Sequence, residues 1–473
     1  MYLELAIGQY FQSGNITIWN NIAPFMKGIG YSVVIINILM LSYYNTLQAY
    51  ALYYLGYSFQ FEVPWSSCNK PWSTSKCHIR STNSTLNLTA LTNDEIFLPS
   101  TEFFSRKVVG SDRSNGFDDM AGIKFDMLLC VFIVFVLTTS CLIGGIKTSG
   151  KAVYVTALLP YVCLLVLIVQ SLLLDGSMDG LKYYLTPKFD RLFELKVWLA
   201  AAVQIFFSLG PGFGVLITYS SYSNKSINIR NLTLMCSFVN CMTSLLYGVV
   251  VFAGLGYMAK RLNVDINYFL RDGIGLVFVV YPEIIATFKG AYIFAIIFFI
   301  MLITLGMDSA FGGMEGLYTA IADTYPICRK HTLLTRFVIS FIPFLTSLPT
   351  VTYAGIYVVQ WLDRFAISPS VLIVVVAEVI TISWFYGVDK FCGHVKEMNN
   401  ITPYYNWRLS WKYLCPLTLL TIVILDIIFF EDLTYGSYVF PSWSVYLGYS
   451  LNFVALLPIP GYALIYYLYP KLR

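Results

Sequence analysis

Apolar runs of bilayer-crossing length recur along the whole sequence, and that recurrence leaves few folds open to it. They lie at about residues 29–58, 125–145, 152–175, 195–221, 232–258, 290–322, 333–354, 357–387, 408–430 and 442–469, each near the roughly 20 residues a helix needs to cross a hydrocarbon core. Lipid offers no hydrogen bonds to a backbone, so runs of this length must be helices. Composition agrees, since 57% of the residues are hydrophobic, only 12% are charged, and the mean hydropathy is +0.67, far from the balance of a soluble domain. The expectation is an all-α polytopic membrane protein, one transmembrane domain over residues 1–473 with ten spans. Residues 1–12 read as the back half of a further helix, since at 1.5 Å per residue they cover roughly 18 Å of a core about 30 Å thick.

One long polar segment, 59–124, interrupts the apolar pattern. It holds Cys68 and Cys77 with the sequons Asn83-Ser84-Thr85 and Asn87-Leu88-Thr89 close behind, so a disulfide and glycosylation at Asn83 and Asn87 both assign it to the extracytoplasmic side. The basic residues of the short loops, among them Lys27, Lys147, Lys151, Lys225, Arg230, Arg329, Lys330, Lys390 and Arg408, fall on one alternating face, which predicts that this face and the C-terminus are cytoplasmic. A net charge of +4 without a basic block argues against nucleic acid. His78, His331 and His394 lie far apart, and no Cys/His cluster has metal-site spacing. GIKTSGKA at 145–152 approaches a phosphate-binding loop but ends in Ala152 and reads as a short turn between spans. No enzyme is expected.

Two features lie where a simple spanning helix tolerates them poorly. Gly210-Pro211-Gly212-Phe213-Gly214 falls at the centre of the run 195–221, and glycine and proline are costly inside a helix. Either the helix kinks there, or it unwinds and its freed amides and carbonyls line a cavity; polar Gln204 and Ser208, one turn apart, favour unwinding. Within 290–322, Asp308 and Ser309 sit at bilayer depth, where a carboxylate costs roughly 2.5–3.5 kcal/mol on insertion scales. A hydrogen-bonded structural carboxylate is one reading; a sodium site, with the serine beside it, is favoured. For Glu315, Glu378 and Asp426 the structural reading is preferred. Tyr44, Phe207 and Phe213 are aromatic candidates for the cavity wall.

ELAIGQY at 4–10, KGIGYSVVI at 27–35, SYYNT at 42–46, KTSGKAVYVTALLPY at 147–161, QIFFSLGPGFGVL at 204–216, VNCMTS at 239–244, LITLGMDS at 302–309 and SWFYGVDKF at 383–391 together resemble the neurotransmitter:sodium symporters, and within them the monoamine branch. The resemblance implies a fold of two inverted five-helix repeats whose first helix and the front of whose second precede residue 1, so that this chain alone is expected to be inactive. It implies a substrate site at Met40, Leu41, Tyr44, Phe207, Gly210, Phe213, Ser309 and Gly313. Sodium is assigned to Ser208, Asn240, Leu305 by its carbonyl, Asp308 and Ser309, and chloride to Gln204, Ser208, Asn240 and Ser244. Glu4 resembles the carboxylate that holds the unwound backbone, and Asp363 the acidic half of an outer gate. Sodium and chloride are implied as co-transported ions.

The resemblance therefore implies a multi-pass plasma-membrane symporter of a small-molecule monoamine in contact with lipid, with assembly into a homo-oligomer left open. Serotonin is expected first, on Gly-Pro-Gly-Phe-Gly and Ser-Tyr-Tyr-Asn-Thr; dopamine or another catecholamine is second, on Ala310 and Tyr281-Pro282-Glu283. A ligand-gated channel and a non-transporting truncated isoform are the competing classes.

Overall fold

The computed structural model describes residues 1–77, 98–269, 274–400, 402–436 and 438–468; Asn83 and Asn87 lie outside them. The described chain is helical almost throughout. Two short helices, α1 (Tyr2–Phe11) and α2 (Asn15–Ile22), lead into the long α3 (Gly28–Ser58). Beyond the polar segment follow α4 (Phe125–Ile143), α5 (Ile146–Leu172), α6 (Ser177–Leu185), α7 (Leu195–Leu209), α8 (Val215–Ser221) and α9 (Ile229–Leu262). The second half comprises α10 (Ala291–Thr324), α11 (Thr332–Thr346), α12 (Gly355–Leu362), α13 (Ser368–Ile380), α14 (Val388–Asn399), α15 (Cys415–Ile428), α16 (Ser442–Leu456) and α17 (Pro458–Leu468). The only strands among the described residues are a two-residue antiparallel pair at Thr434–Tyr435 and Tyr438–Val439.

By length and apolarity, seven described helical stretches suffice to cross a membrane, and an eighth if α16 and α17, bent by 41°, count as one. Ten were expected. The difference is physical: the run 195–221 divides into α7 and α8, and α11 stops after 15 residues, passing into a tight turn that contains Pro349. In the other direction, Gly355–Asn399 forms one 45-residue helical stretch, continued through π-helical turns at Asp363–Ile367 and Thr381–Gly387. The segment 145–152 is also corrected, because helix α5 already begins at Ile146.

α3 is apolar on every side and buried along most of its length, as a central helix must be. Its main neighbour, α10, approaches closely through small residues: an added Cβ at Gly306 would come within 2.7 Å of the Gln48 side chain, and one at Gly313 within a tight 3.3 Å of Leu41. Between α6 and α9, Gly180 and Gly256 bring backbone against backbone in the same way. Where α10 meets α11, the guanidinium of Arg336 grips Glu315 with two bonds of 2.7 and 3.0 Å, donates to the Leu142 carbonyl at 3.0 Å, and stacks 3.7 Å over Tyr318.

The described part of the polar segment after α3 packs onto the helical bundle. Trp65 and Phe103 are fully buried against Tyr54, and the Trp65 indole donates to the Pro282 carbonyl at 3.0 Å. Cys68 and Cys77 are bonded, and the Glu102 carboxylate accepts from the Thr74 amide at 2.9 Å and from its hydroxyl.

Candidate functional site: a cavity at a broken helix

α7 ends where Gly210 turns left-handed, at φ 66°, and Gly212 and Gly214 follow at φ 81° and 69°. Residues with a Cβ rarely adopt such angles, so the alternating glycines themselves break the helix. Its backbone is then recaptured by side chains from three other helices. Glu4 of α1 accepts from the Gly212 amide at 2.9 Å, Asn37 of α3 donates to the Phe213 carbonyl at 2.6 Å, and Asn15 of α2 donates to the Gly214 carbonyl at 3.2 Å. An unwound segment inside a membrane protein persists only with such partners. Nothing in the sequence around Asn15 or Asn37 marks either as a partner of the break.

In front of the break lies a cavity of about 720 Å³. Met40, Tyr44, Gln204, Phe207, Ser208, Gly210, Phe213, Asp308, Ser309 and Asp363, all assigned from the sequence, line it, joined by Tyr43, Gly312, Gln360 and Arg364. Leu41 and Gly313 do not. They face each other in the packed layer behind the wall, Leu41 fully buried, because one step along α10 turns Gly312 and not Gly313 to the cavity. A second, mostly apolar cavity of about 390 Å³ adjoins the first at Tyr43, Tyr44 and Asp363 and is lined by Leu305 and Gln48. The Gln48 amide is buried with neither polar atom hydrogen-bonded.

The polar groups of the wall are specifically held. Tyr43 donates to Asp363 at 2.9 Å, and the Tyr44 hydroxyl is within hydrogen-bonding reach of Ser309. Thr156 of α5 donates to Oδ1 of Asp308, a partner the sequence reading missed, because nothing within α5 indicates which side chain faces α10. Asp308, Ser309 and the Leu305 carbonyl follow one another on a single helix, an all-oxygen donor set suited to a hard cation. Ser208 and Asn240 are hydrogen-bonded to each other at 2.9–3.0 Å, tying α7 to α9 beside the break. Ser244 donates to the Asn240 carbonyl one turn earlier, at 3.0 Å. With Gln204 these are uncharged donors, able to face an anion without a permanent buried counter-charge.

A broken helix, backbone held by carboxylate and amide side chains, and a carboxylate within an apolar helix opening on the same cavity define the class: a helical membrane transporter. The chain belongs to the sodium:neurotransmitter symporter family, whose family model matches residues 1–469. It is 44% identical over 464 residues to the sodium-dependent serotonin transporter of Drosophila melanogaster, covering 98% of this chain and 73% of that protein. It is 40% identical over 465 residues to the sodium-dependent dopamine transporter of Bos taurus, covering 98% of this chain and 66% of that protein. The chain thus spans roughly two thirds to three quarters of the length of these relatives. Members of this family are sodium-dependent symporters of small molecules and not enzymes.

Proposed function

We propose that this protein is a sodium- and chloride-dependent symporter of a monoamine, serotonin before dopamine, in the plasma membrane with its C-terminus cytoplasmic. The observation that carries the reading is the cavity itself: two aromatic residues, Tyr44 and Phe207, a broken helix and the Asp308–Ser309 pair share one wall. Sodium bound at Asp308, Ser309 and the Leu305 carbonyl, and again at Ser208 and Asn240, adds positive charge on both sides of the break. Chloride among Gln204, Ser208, Asn240 and Ser244 offsets it. Ion binding then favours the state in which the cavity accepts the amine from outside, and alternating access carries it inward. Tyr44 and Phe207 close over the amine, Phe213 lies beneath it, and Asp363 with Tyr43 forms part of the outer closure. The disulfide loop, with sugars at Asn83 and Asn87, faces outward.

Serotonin comes first because the serotonin relative is the more similar of the two and because Gly210 to Gly214 and Ser42 to Thr46 follow serotonin carriers. The test is uptake of labelled serotonin and dopamine at equal low concentration by cells expressing the full-length gene product, with sodium or chloride replaced in turn. Serotonin uptake lost without either ion is expected; a preference for dopamine moves the substrate reading to the catecholamines.

A further inference from the structure

Beside the helix break, and outside the residues that line the cavity, two glutamates meet. Glu4 of α1 and Glu378 of α13 are 2% and 0% exposed, and their carboxyl groups lie within hydrogen-bonding reach of each other. α13 reaches this position because Gly212 packs directly against Val371 and Val375, placing Glu378 less than one turn further along the same helix. Of the four carboxyl oxygens, only Oε1 of Glu4 has a donor among the described residues, the Gly212 amide. Oε2 of Glu4 and both oxygens of Glu378 are buried without a partner. Among the described residues, no lysine, arginine or histidine side chain pairs with either glutamate.

Two carboxylates cannot both stay ionised in such a place. Each would sit in a low-dielectric interior beside a like charge, and three lone-pair-bearing oxygens would face one another with no hydrogen between them. Neighbouring carboxyl groups resolve this conflict by holding one proton between them, which makes one group a donor and leaves the other an acceptor.

We propose that Glu4 and Glu378 form a proton-binding site beside the broken helix, the proton carried by Glu378 and donated to Oε2 of Glu4. Glu4 thereby stays anionic towards the Gly212 amide and holds the unwound segment, while the pair as a whole carries a single negative charge. The ligand is the proton itself. Neither Glu378 nor this role belongs to the sodium, chloride or amine sites above, and the inference stands whichever amine the cavity takes.

The test is infrared spectroscopy of the full-length protein, purified and reconstituted in lipid, with 13C-labelled glutamate to mark glutamate carbonyl bands. A protonated glutamate carbonyl band at neutral pH, shifted by deuterium exchange and lost in Glu378→Gln, is expected. The amide of that variant supplies a permanent donor to Glu4, so its thermal stability should stay near the parent's, whereas Glu378→Ala should lower it. Absence of a protonated glutamate band from the parent overturns the proposal without any variant. So does a band that survives intact in a folded Glu378→Gln protein, since the proton then resides elsewhere.

Discussion

Two charged residues inside the helical bundle illustrate how differently the same expense is met. Asp308 has a threonine hydroxyl as its side-chain partner and opens on the cavity, whereas Glu315 is gripped on both oxygens by Arg336 and closed off from solvent. The first arrangement leaves capacity for a cation; the second leaves none. Asp308→Asn is therefore expected to abolish sodium-dependent uptake while surface labelling stays normal, because the amide keeps the shape and loses the charge. Uptake near the parent level would return Asp308 to a structural role. Removing one partner of the buried pair, as in Arg336→Ala, strands a charge and should cost about 3–5 kcal/mol, seen as a lowered unfolding temperature in detergent. The apolar double replacement Glu315→Leu with Arg336→Met should recover most of that loss; a double variant as unstable as the single one would argue against charge stranding as the cause.

Among the elements, the broken helix depends on neighbours that are distant in sequence. Its alternating glycines dictate that α7 stops, yet what holds the stopped chain are Glu4, Asn15 and Asn37, each on a different helix. Asn37→Leu leaves the Phe213 carbonyl unpaired in the interior and should destabilise by about 1–3 kcal/mol. Ligand binding should weaken too, since Phe213 lines the cavity; a variant with parent stability and affinity would show that this bond is dispensable. The α7–α9 contact carries a separate expectation. Ser244→Glu supplies a fixed carboxylate near Ser208 and Asn240, so the variant should transport without chloride, and a correctly targeted variant that still requires chloride would remove Ser244 from the anion site.

At the scale of the molecule, a transporter and a channel differ in what they do with a gradient. A cavity reached by alternating access can accumulate its ligand, whereas a continuous pore can only let it equilibrate. Cells expressing the full-length protein should concentrate the amine above its external level, saturably, and lose that accumulation when sodium is replaced by choline. Equilibration without accumulation would favour the channel class.

The sequence by itself determined that the chain is a bundle of membrane-spanning helices, because bilayer-length apolar runs admit no other secondary structure. It also located the break in the run 195–221, because glycine and proline act on their own backbone, and it singled out Asp308, because a charge among apolar residues is visible without a fold. Motifs spread along the chain carried most of the cavity wall as well. Tertiary structure alone decided which neighbour each residue meets. Leu41 and Gly313 turn into the packing between α3 and α10 while Gly312 reaches the cavity, a distinction of one step in helical phase. Thr156, Asn15 and Asn37 gain their roles, and Glu378 finds Glu4, only through contacts between helices far apart in the chain. Local periodicity says which residues share a helix face; the rotation and depth at which that face meets another helix are set by packing of the whole bundle.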